Sequence, residues 1–155
     1  MDIEPGKHLI LYDGVCGLCN AFVRFVIKID KQDHFRFTPL QGEAARAIVA
    51  RHGADPDQIS TLYLVAFPGQ PEEEVWTRGR AALKVITKCG GAWKLLMPFG
   101  LLPDFLLNLG YRAIARVRYL IAGRKELCEL PSPDDRHRFV SFPEPQDANP
   151  AELGK

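Results

Sequence analysis

An α/β fold is predicted by the way apolar runs alternate with helical patterns along the 155-residue chain. The apolar run 8–12 indicates a buried strand, and a helical pattern of apolar residues begins near Cys19. The alternating segment 35–38 indicates a second strand, and the apolar spacing of 44–49 indicates a second helix. Strand, helix and strand in succession are typical of a parallel β-α-β unit.

Two further strands and a helix complete the predicted core. The β-branched and aromatic run 61–67 and the run 75–77 flank a turn rich in proline and glycine, which predicts a hairpin. The helical pattern from Ala82 to Cys89 should end at the two glycines that follow. The order β-α-β-α-β-β-α is that of the thioredoxin fold, so we predict a thioredoxin-like α/β domain with additional C-terminal helices.

A second helical stretch should follow Gly91, with Trp93, Leu95, Leu96 and Met97 before Pro98. A longer helix should begin near Pro103, a residue that suits the first turn of a helix. The longer helix carries an apolar stripe that we expect to pack on the core. Its members are Phe105, Leu106, Leu109, Ala113, Val117 and Leu120. Residues 1–130 are predicted to form one domain that includes this helical extension. Prolines among charged residues predict an extended or disordered tail over 131–155.

Composition and charge argue against several classes of function. The 20 basic and 19 acidic residues give a net charge of +1, so no overall field favours nucleic acid as a partner. The apolar stretch 101–109 is interrupted well before the ~20 residues that a transmembrane segment needs. Residues 1–8 lack the basic end and apolar run of a signal peptide, so we expect a cytoplasmic protein.

The candidate site lies where the first predicted strand meets the first predicted helix. Cys16 and Cys19 form a Cys-x-x-Cys pair there, close enough to close a small disulfide ring. The free N–H groups and the positive dipole end of the helix favour a thiolate on Cys16. We therefore expect Cys16 to attack a disulfide. Cys19, one turn into the helix and more sheltered, should resolve the mixed disulfide.

Asp13 ends the first predicted strand three residues before Cys16. As a carboxylate it could cap the amides of the turn, and its charge would then raise the pKa of the thiols. As a protonated acid it could instead donate to the departing thiolate of Cys19. The sequence leaves both roles open, together with that of an ordinary turn residue.

A zinc site is one alternative for the cysteine pair. Two further ligands would be needed, and Cys89, Cys128 and the four histidines are the candidates, but no second Cys-x-x-Cys occurs. Cys89 falls on an apolar helix stripe, so burial is its expected state. Cys128 follows a predicted helix end, where it could instead serve as a secondary resolving thiol.

A non-catalytic binding module is the second alternative. In that case the thioredoxin-like core is a scaffold, and the helices of 92–120 dock on a protein or membrane surface. Exposure of Trp93, Leu96, Met97 and Phe99 would favour this interpretation, whereas their burial under the rest of the domain would remove it.

The segment 12–19 resembles the signature of the DCC family of thiol-disulfide oxidoreductases, in which Asp13, Cys16 and Cys19 match an Asp-x-x-Cys-x-x-Cys pattern. The resemblance continues in the same order through 79–83, 90–93, 111–119 and 123–128. It implies a thioredoxin-like domain with a dithiol activity. Protein or small-molecule disulfides and thiols are then the expected partners, and exchange between them requires no metal or organic cofactor.

Two features depart from the related patterns. Val117 precedes Arg118 where the family usually has a polar residue, so any role of that polar residue is in doubt. Thioredoxins carry a cis-proline just before the third strand, whereas 59–61 reads Ile-Ser-Thr and the nearest proline is Pro56. Substrate is therefore expected to be held differently.

Overall fold

The computed structural model describes residues 3–53, 61–122 and 133–140. The strands of its sheet are β1 (His8–Tyr12), β2 (Phe35–Pro39), β3 (Tyr63–Ala66) and β4 (Glu74–Thr77). They lie in the order β2-β1-β3-β4, with β1 and β2 parallel and the other two pairings antiparallel. The mixed α/β arrangement and the predicted hairpin are confirmed, and the topology is thioredoxin-like.

The described α-helices are α1 (Gly17–Ile29), α2 (Glu43–Arg51), α3 (Arg78–Lys88) and α4 (Asp104–Ala122). The helical stretch predicted beyond Gly91 is a 3₁₀ helix, Gly91–Leu101, and it contains Pro98, which has no N–H to donate within a helix. Gly90, just before this helix, and Gly91, its first residue, have φ angles of 78° and 63°, a region that favours glycine. No helix within the described residues combines the length and hydropathy needed to cross a membrane.

Strand β1 is buried on both faces because helices cover both sides of the sheet. Ile10 and Tyr12 belong to the cluster on the α1 and α3 side, and Leu9 and Leu11 belong to the cluster on the α2 side. A strand covered on both faces needs an uninterrupted apolar sequence, which is what this segment has. The carboxyl end of β1 is therefore fixed by helices on both faces and by β2 and β3 at its two edges.

Helix α4 packs against α1 and α3, but not through the predicted apolar stripe. The stripe members whose side chains the structure describes are exposed: Phe105, Leu106, Leu109 and Ala113. The packed face carries Leu107, whose backbone lies against Gly79 of α3, and Tyr111, whose hydroxyl accepts a hydrogen bond from the N–H of Leu62 at 3.3 Å. For these residues the prediction was wrong, because the close backbone approach at Gly79 sets the rotation of α4.

Arg80 holds the start of α4 in place. Its guanidinium donates to the carbonyl oxygens of Gly100 at 3.3 Å and Leu102 at 3.2 Å, and it forms an ion pair with Asp104. Two carbonyls shortly before α4 and the first residue of the helix are thereby tied to α3.

Part of the predicted tail is folded against the edge strand β2. Residues Pro133–Arg138 form a 3₁₀ helix, and the N–H of Val140 donates to the carbonyl of Phe37 at 3.0 Å. Arg138 pairs with the buried carboxylate of Asp30 at 3.2 Å. These contacts order residues 133–140, where the sequence predicts an extended or disordered chain. The rest of 131–155 lies outside the described residues.

The substitution Gly79→Ala should destabilise the protein by about 1–3 kcal/mol, because the added Cβ would lie 2.6 Å from the carbonyl oxygen of Leu107. The matched control is Gly110→Ala in α4, where an added Cβ meets nothing within 4 Å and should stabilise the helix by roughly 0.5–1 kcal/mol. Urea unfolding gives both values. A stabilising effect of Gly79→Ala would show that the helices do not approach so closely.

Candidate functional site

The cysteine pair lies on the turn that joins β1 to α1. Cys16 is the residue before the first residue of α1 and has extended backbone angles, φ −85° and ψ 114°. The N–H of Asn20 donates to the carbonyl of Cys16 at 3.0 Å, which is the first hydrogen bond of the helix. Cys16 is therefore at the helix N-terminus, as predicted, and Cys19 lies on the first turn.

Both sulfurs are free thiols, and they lie close enough for the charge of Cys16 to act on Cys19. Both residues are also buried, Cys16 with 0% and Cys19 with 8% of its surface exposed. The expectation that Cys19 is the more sheltered of the two was wrong. Cys16 packs in the same cluster as Tyr12 and Leu62, because it follows the buried end of β1 directly.

Burial and neighbouring charge raise the pKa of Cys19 to about 12. Burial is the largest cause, followed by the negative charge of Cys16, the hydrogen bond with Cys16 and the negative charge of Asp13. A backbone hydrogen bond with Asp13 acts in the opposite direction. Cys19 is therefore a protonated donor near neutral pH, and a second negative charge in the pair is strongly disfavoured.

Asp13 is buried at the end of β1, and its side chain holds the turn. Its Oδ1 accepts hydrogen bonds from the N–H of Val15 at 3.1 Å and from Nε2 of Gln41 at 3.0 Å. Two donors directed at one carboxyl oxygen correspond to the capping role among those left open by the sequence. The geometry brings Asp13, Cys16 and Cys19 together in one loop and helix turn.

Gln41 and Asn20 complete the polar support of the loop, and the sequence analysis did not identify them. Oε1 of Gln41 accepts from the N–H of Gly14 at 3.2 Å, while Nδ2 of Asn20 donates to the carbonyl of Gly14 at 2.8 Å. Asn20 offered a signal, since it is a polar residue on the buried side of α1. For Gln41 the only signal was its place in the chain. It follows β2, and the carboxyl end of β2 lies beside that of β1, where Asp13 is.

The other candidate ligands and thiols lie elsewhere. Cys89 ends α3, is buried as expected, and donates its S–H to the carbonyl of Val85 at 3.3 Å. Burial, followed by the charge of Asp30, raises the pKa of Cys89 to about 12. In the part of the chain that the structure describes, no three histidine, cysteine or acidic residues come together as metal ligands. Cys128 lies outside the described residues.

The segment before β3 faces α4 and is fully hydrogen-bonded at Leu62. The N–H of Leu62 donates to Tyr111, and its carbonyl accepts from the N–H of Arg78 at 2.8 Å. The described residues contain no cis peptide bond. Pro56 and residues 59–60 lie outside the described part, as do the side chains of 117–119.

A family model described as DCC1-like thiol-disulfide oxidoreductase matches residues 10–124. The chain belongs to the DCC1-like family. The match runs from within β1 to just beyond α4, so it includes the cysteine pair, the Gly79 contact and the whole helical extension.

Two relatives show how far the similarity extends. The chain is 34% identical over 134 residues to the uncharacterized protein YuxK of Bacillus subtilis, covering 86% of this chain and 94% of that protein. It is 34% identical over 128 residues to a chloroplastic DCC family protein of Arabidopsis thaliana, covering 82% of this chain and 72% of that one. No solved structure matches the chain.

The substitution Gln41→Ala should lower the free energy of unfolding by about 1–3 kcal/mol, because it leaves the N–H of Gly14 and one hydrogen bond of Asp13 without their partner. The matched control is Gln32→Ala, an exposed glutamine that should change stability by less than about 0.5 kcal/mol. Equal effects of the two substitutions in urea unfolding would show that the Gln41 bridge does not support the loop.

Cys19 and Cys89 should both resist alkylation at about pH 8, where a pKa of about 12 leaves roughly one thiol in ten thousand ionised. A raised thiol pKa means that the thiolate forms only as the pH climbs, so labelling by iodoacetamide should increase steadily towards about pH 11. Peptide mass spectrometry of the labelled protein separates the two sites.

The Cys16→Ser variant then tests the coupling of the pair. It removes the negative charge that raises the pKa of Cys19, so labelling of Cys19 should begin at a lower pH. Labelling of Cys89, whose pKa is not raised by Cys16, should keep its pH dependence. An unchanged profile for Cys19 would contradict the coupling.

Proposed function

We propose that this protein catalyses thiol-disulfide exchange with Cys16 as the attacking sulfur and Cys19 as the resolving sulfur. The observation that carries the proposal is a pair of neighbouring free thiols at the amino end of α1. Membership of the DCC1-like thiol-disulfide oxidoreductase family supports it independently. The substrates are protein or small-molecule disulfides and thiols.

The exchange proceeds in two displacements. The thiolate of Cys16 attacks one sulfur of a substrate disulfide, a mixed disulfide forms, and the other substrate sulfur leaves as a thiolate that takes up a proton. Cys19 then loses its proton and attacks the sulfur of Cys16, which releases the second substrate thiol and leaves a Cys16–Cys19 disulfide. Two electrons pass from the protein to the substrate, and a second thiol compound must return them to restore the dithiol.

The coupling of the two thiols orders these displacements. While Cys16 carries negative charge, that charge and the hydrogen bond to it oppose ionisation of Cys19. Once Cys16 is in a mixed disulfide it carries no charge, so two causes of the raised pKa of Cys19 disappear. Cys19 therefore becomes a better nucleophile only after a substrate is bound covalently.

The turn must open for a substrate disulfide to reach Cys16, since that residue has no exposed surface. Val15 and Leu18 lie on either side of Cys16 and are half-buried, whereas the other residues of 13–20 are buried. We assign Asp13 the role of holding the turn through Val15 and Gln41. Free thiols at all three described cysteines fit a reducing, cytoplasmic setting.

The substitution Cys16→Ser should reduce exchange with an aromatic disulfide to the background rate, because the attacking sulfur is lost. Cys19→Ser should instead accumulate a mixed disulfide at Cys16, visible as added mass on that peptide. The matched control is Cys89→Ser, which removes a buried thiol of α3 and should leave exchange unchanged.

A glutathione redox titration of the same variants completes the test. The wild type and Cys89→Ser should form a Cys16–Cys19 disulfide, and neither single variant of the pair should form it. Exchange that survives Cys16→Ser, or the absence of a disulfide at every glutathione ratio, would overturn the proposed function.

A further inference from the structure

An exposed apolar face runs along the 3₁₀ helix and the first half of α4. Its large side chains are Trp93, Leu95, Met97, Phe99, Leu101, Phe105, Leu106 and Leu109. Leu101 is 90% exposed and Leu95 is 78% exposed, so these two pack against almost nothing in the domain. Large contiguous apolar surfaces on soluble domains mark binding sites.

The packing of α4 explains why its own apolar side chains Phe105 and Leu109 point outward. Leu107 and Tyr111 lie one helical turn apart and face Gly79 and the segment before β3. Phe105 and Leu109, also one turn apart, lie on the opposite side of the helix. Rotation of α4 to bury them would separate the backbone contact at Gly79, so the exposure is built into the packing.

Basic residues extend the same face. Arg112 follows Leu109 by three residues and Arg116 follows it by seven, which places both on the outward side of α4, and both are exposed. Lys94 is exposed beside Trp93. Across 91–116 the sequence contains three basic residues and a single acidic one, Asp104, whose charge is paired with Arg80.

We propose that this face binds an anionic lipid surface. Aromatic and aliphatic side chains flanked by exposed cations are what an interfacial binding site requires, since the apolar groups enter the headgroup boundary while Lys and Arg contact the lipid phosphates. A second copy would bring the same excess of positive charge to the contact, whereas an acidic lipid surface carries the opposite charge. Charge complementarity therefore favours acidic lipid over self-association.

The full-length protein should bind vesicles of phosphatidylcholine mixed with phosphatidylglycerol, and bind pure phosphatidylcholine vesicles at least about tenfold more weakly. Flotation measures the bound fraction. The emission of Trp93 should shift to shorter wavelength on binding, and this shift should be lost in Trp93→Phe, since the remaining Trp76 packs on the core. Raised salt should weaken binding.

Two pairs of variants separate the apolar from the ionic contribution. The double variant Leu95→Asp, Leu101→Asp should bind the acidic vesicles at least about tenfold more weakly. The control Ala47→Asp, at an exposed position of α2, should bind them as the wild type does.

Neutralising the cations through Arg112→Gln, Arg116→Gln should weaken binding by about twentyfold, because each basic residue near an acidic membrane contributes about fivefold. The control Lys31→Gln, an exposed cation after α1, should have no effect.

The proposal stands apart from thiol exchange, because Cys16→Ser should bind the acidic vesicles as tightly as the wild type. It would be overturned by a protein that binds neither vesicle, by equal binding to both, or by retained binding in the double aspartate variant. A dimer in light scattering that Leu101→Asp converts to a monomer, without vesicle binding, would identify the face as a contact between copies.

Discussion

The burial of β1 on both faces is the constraint on which the rest of the structure depends. A strand covered by α1 and α3 on one side and by α2 on the other cannot shift without opening both clusters, so its carboxyl end is a rigid point. The turn that follows carries Asp13 and Cys16. The parallel neighbour β2 ends at the same edge and delivers Gln41 to Asp13.

Helix α4 lies between the cluster that contains the cysteine pair and the exposed apolar face. One side contacts Leu62, a member of the cluster that contains both cysteines of the pair, through the hydroxyl of Tyr111. The other side carries the exposed apolar face. Gly79 determines which side of α4 packs on the domain, since it admits the backbone of Leu107 where any side chain would collide. The exposed face therefore lies one helix away from the cysteine pair.

The strands and helices were largely predictable because their signals are local. His8–Tyr12 matches the predicted first strand exactly in its bounds, and the hairpin and the helix start at the cysteine pair also follow from adjacent residues. The rotation of α4 was not predictable, because apolar residues lie on both sides of the helix and one distant glycine selects the side that is packed. Gln41 was missed for the same reason: its partner Asp13 is 28 residues away along the chain.

By itself the sequence determined the element order and the family and located the cysteine pair, since each rests on short-range patterns and motif spacing. Tertiary structure decided how buried that pair is, which polar groups hold its turn, and which side of α4 meets solvent. It also placed residues 133–140, where Arg138 meets Asp30 from 108 positions away and the N–H of Val140 pairs with Phe37 on the edge of β2. Burial and charge pairing are sums over neighbours that only folding brings together.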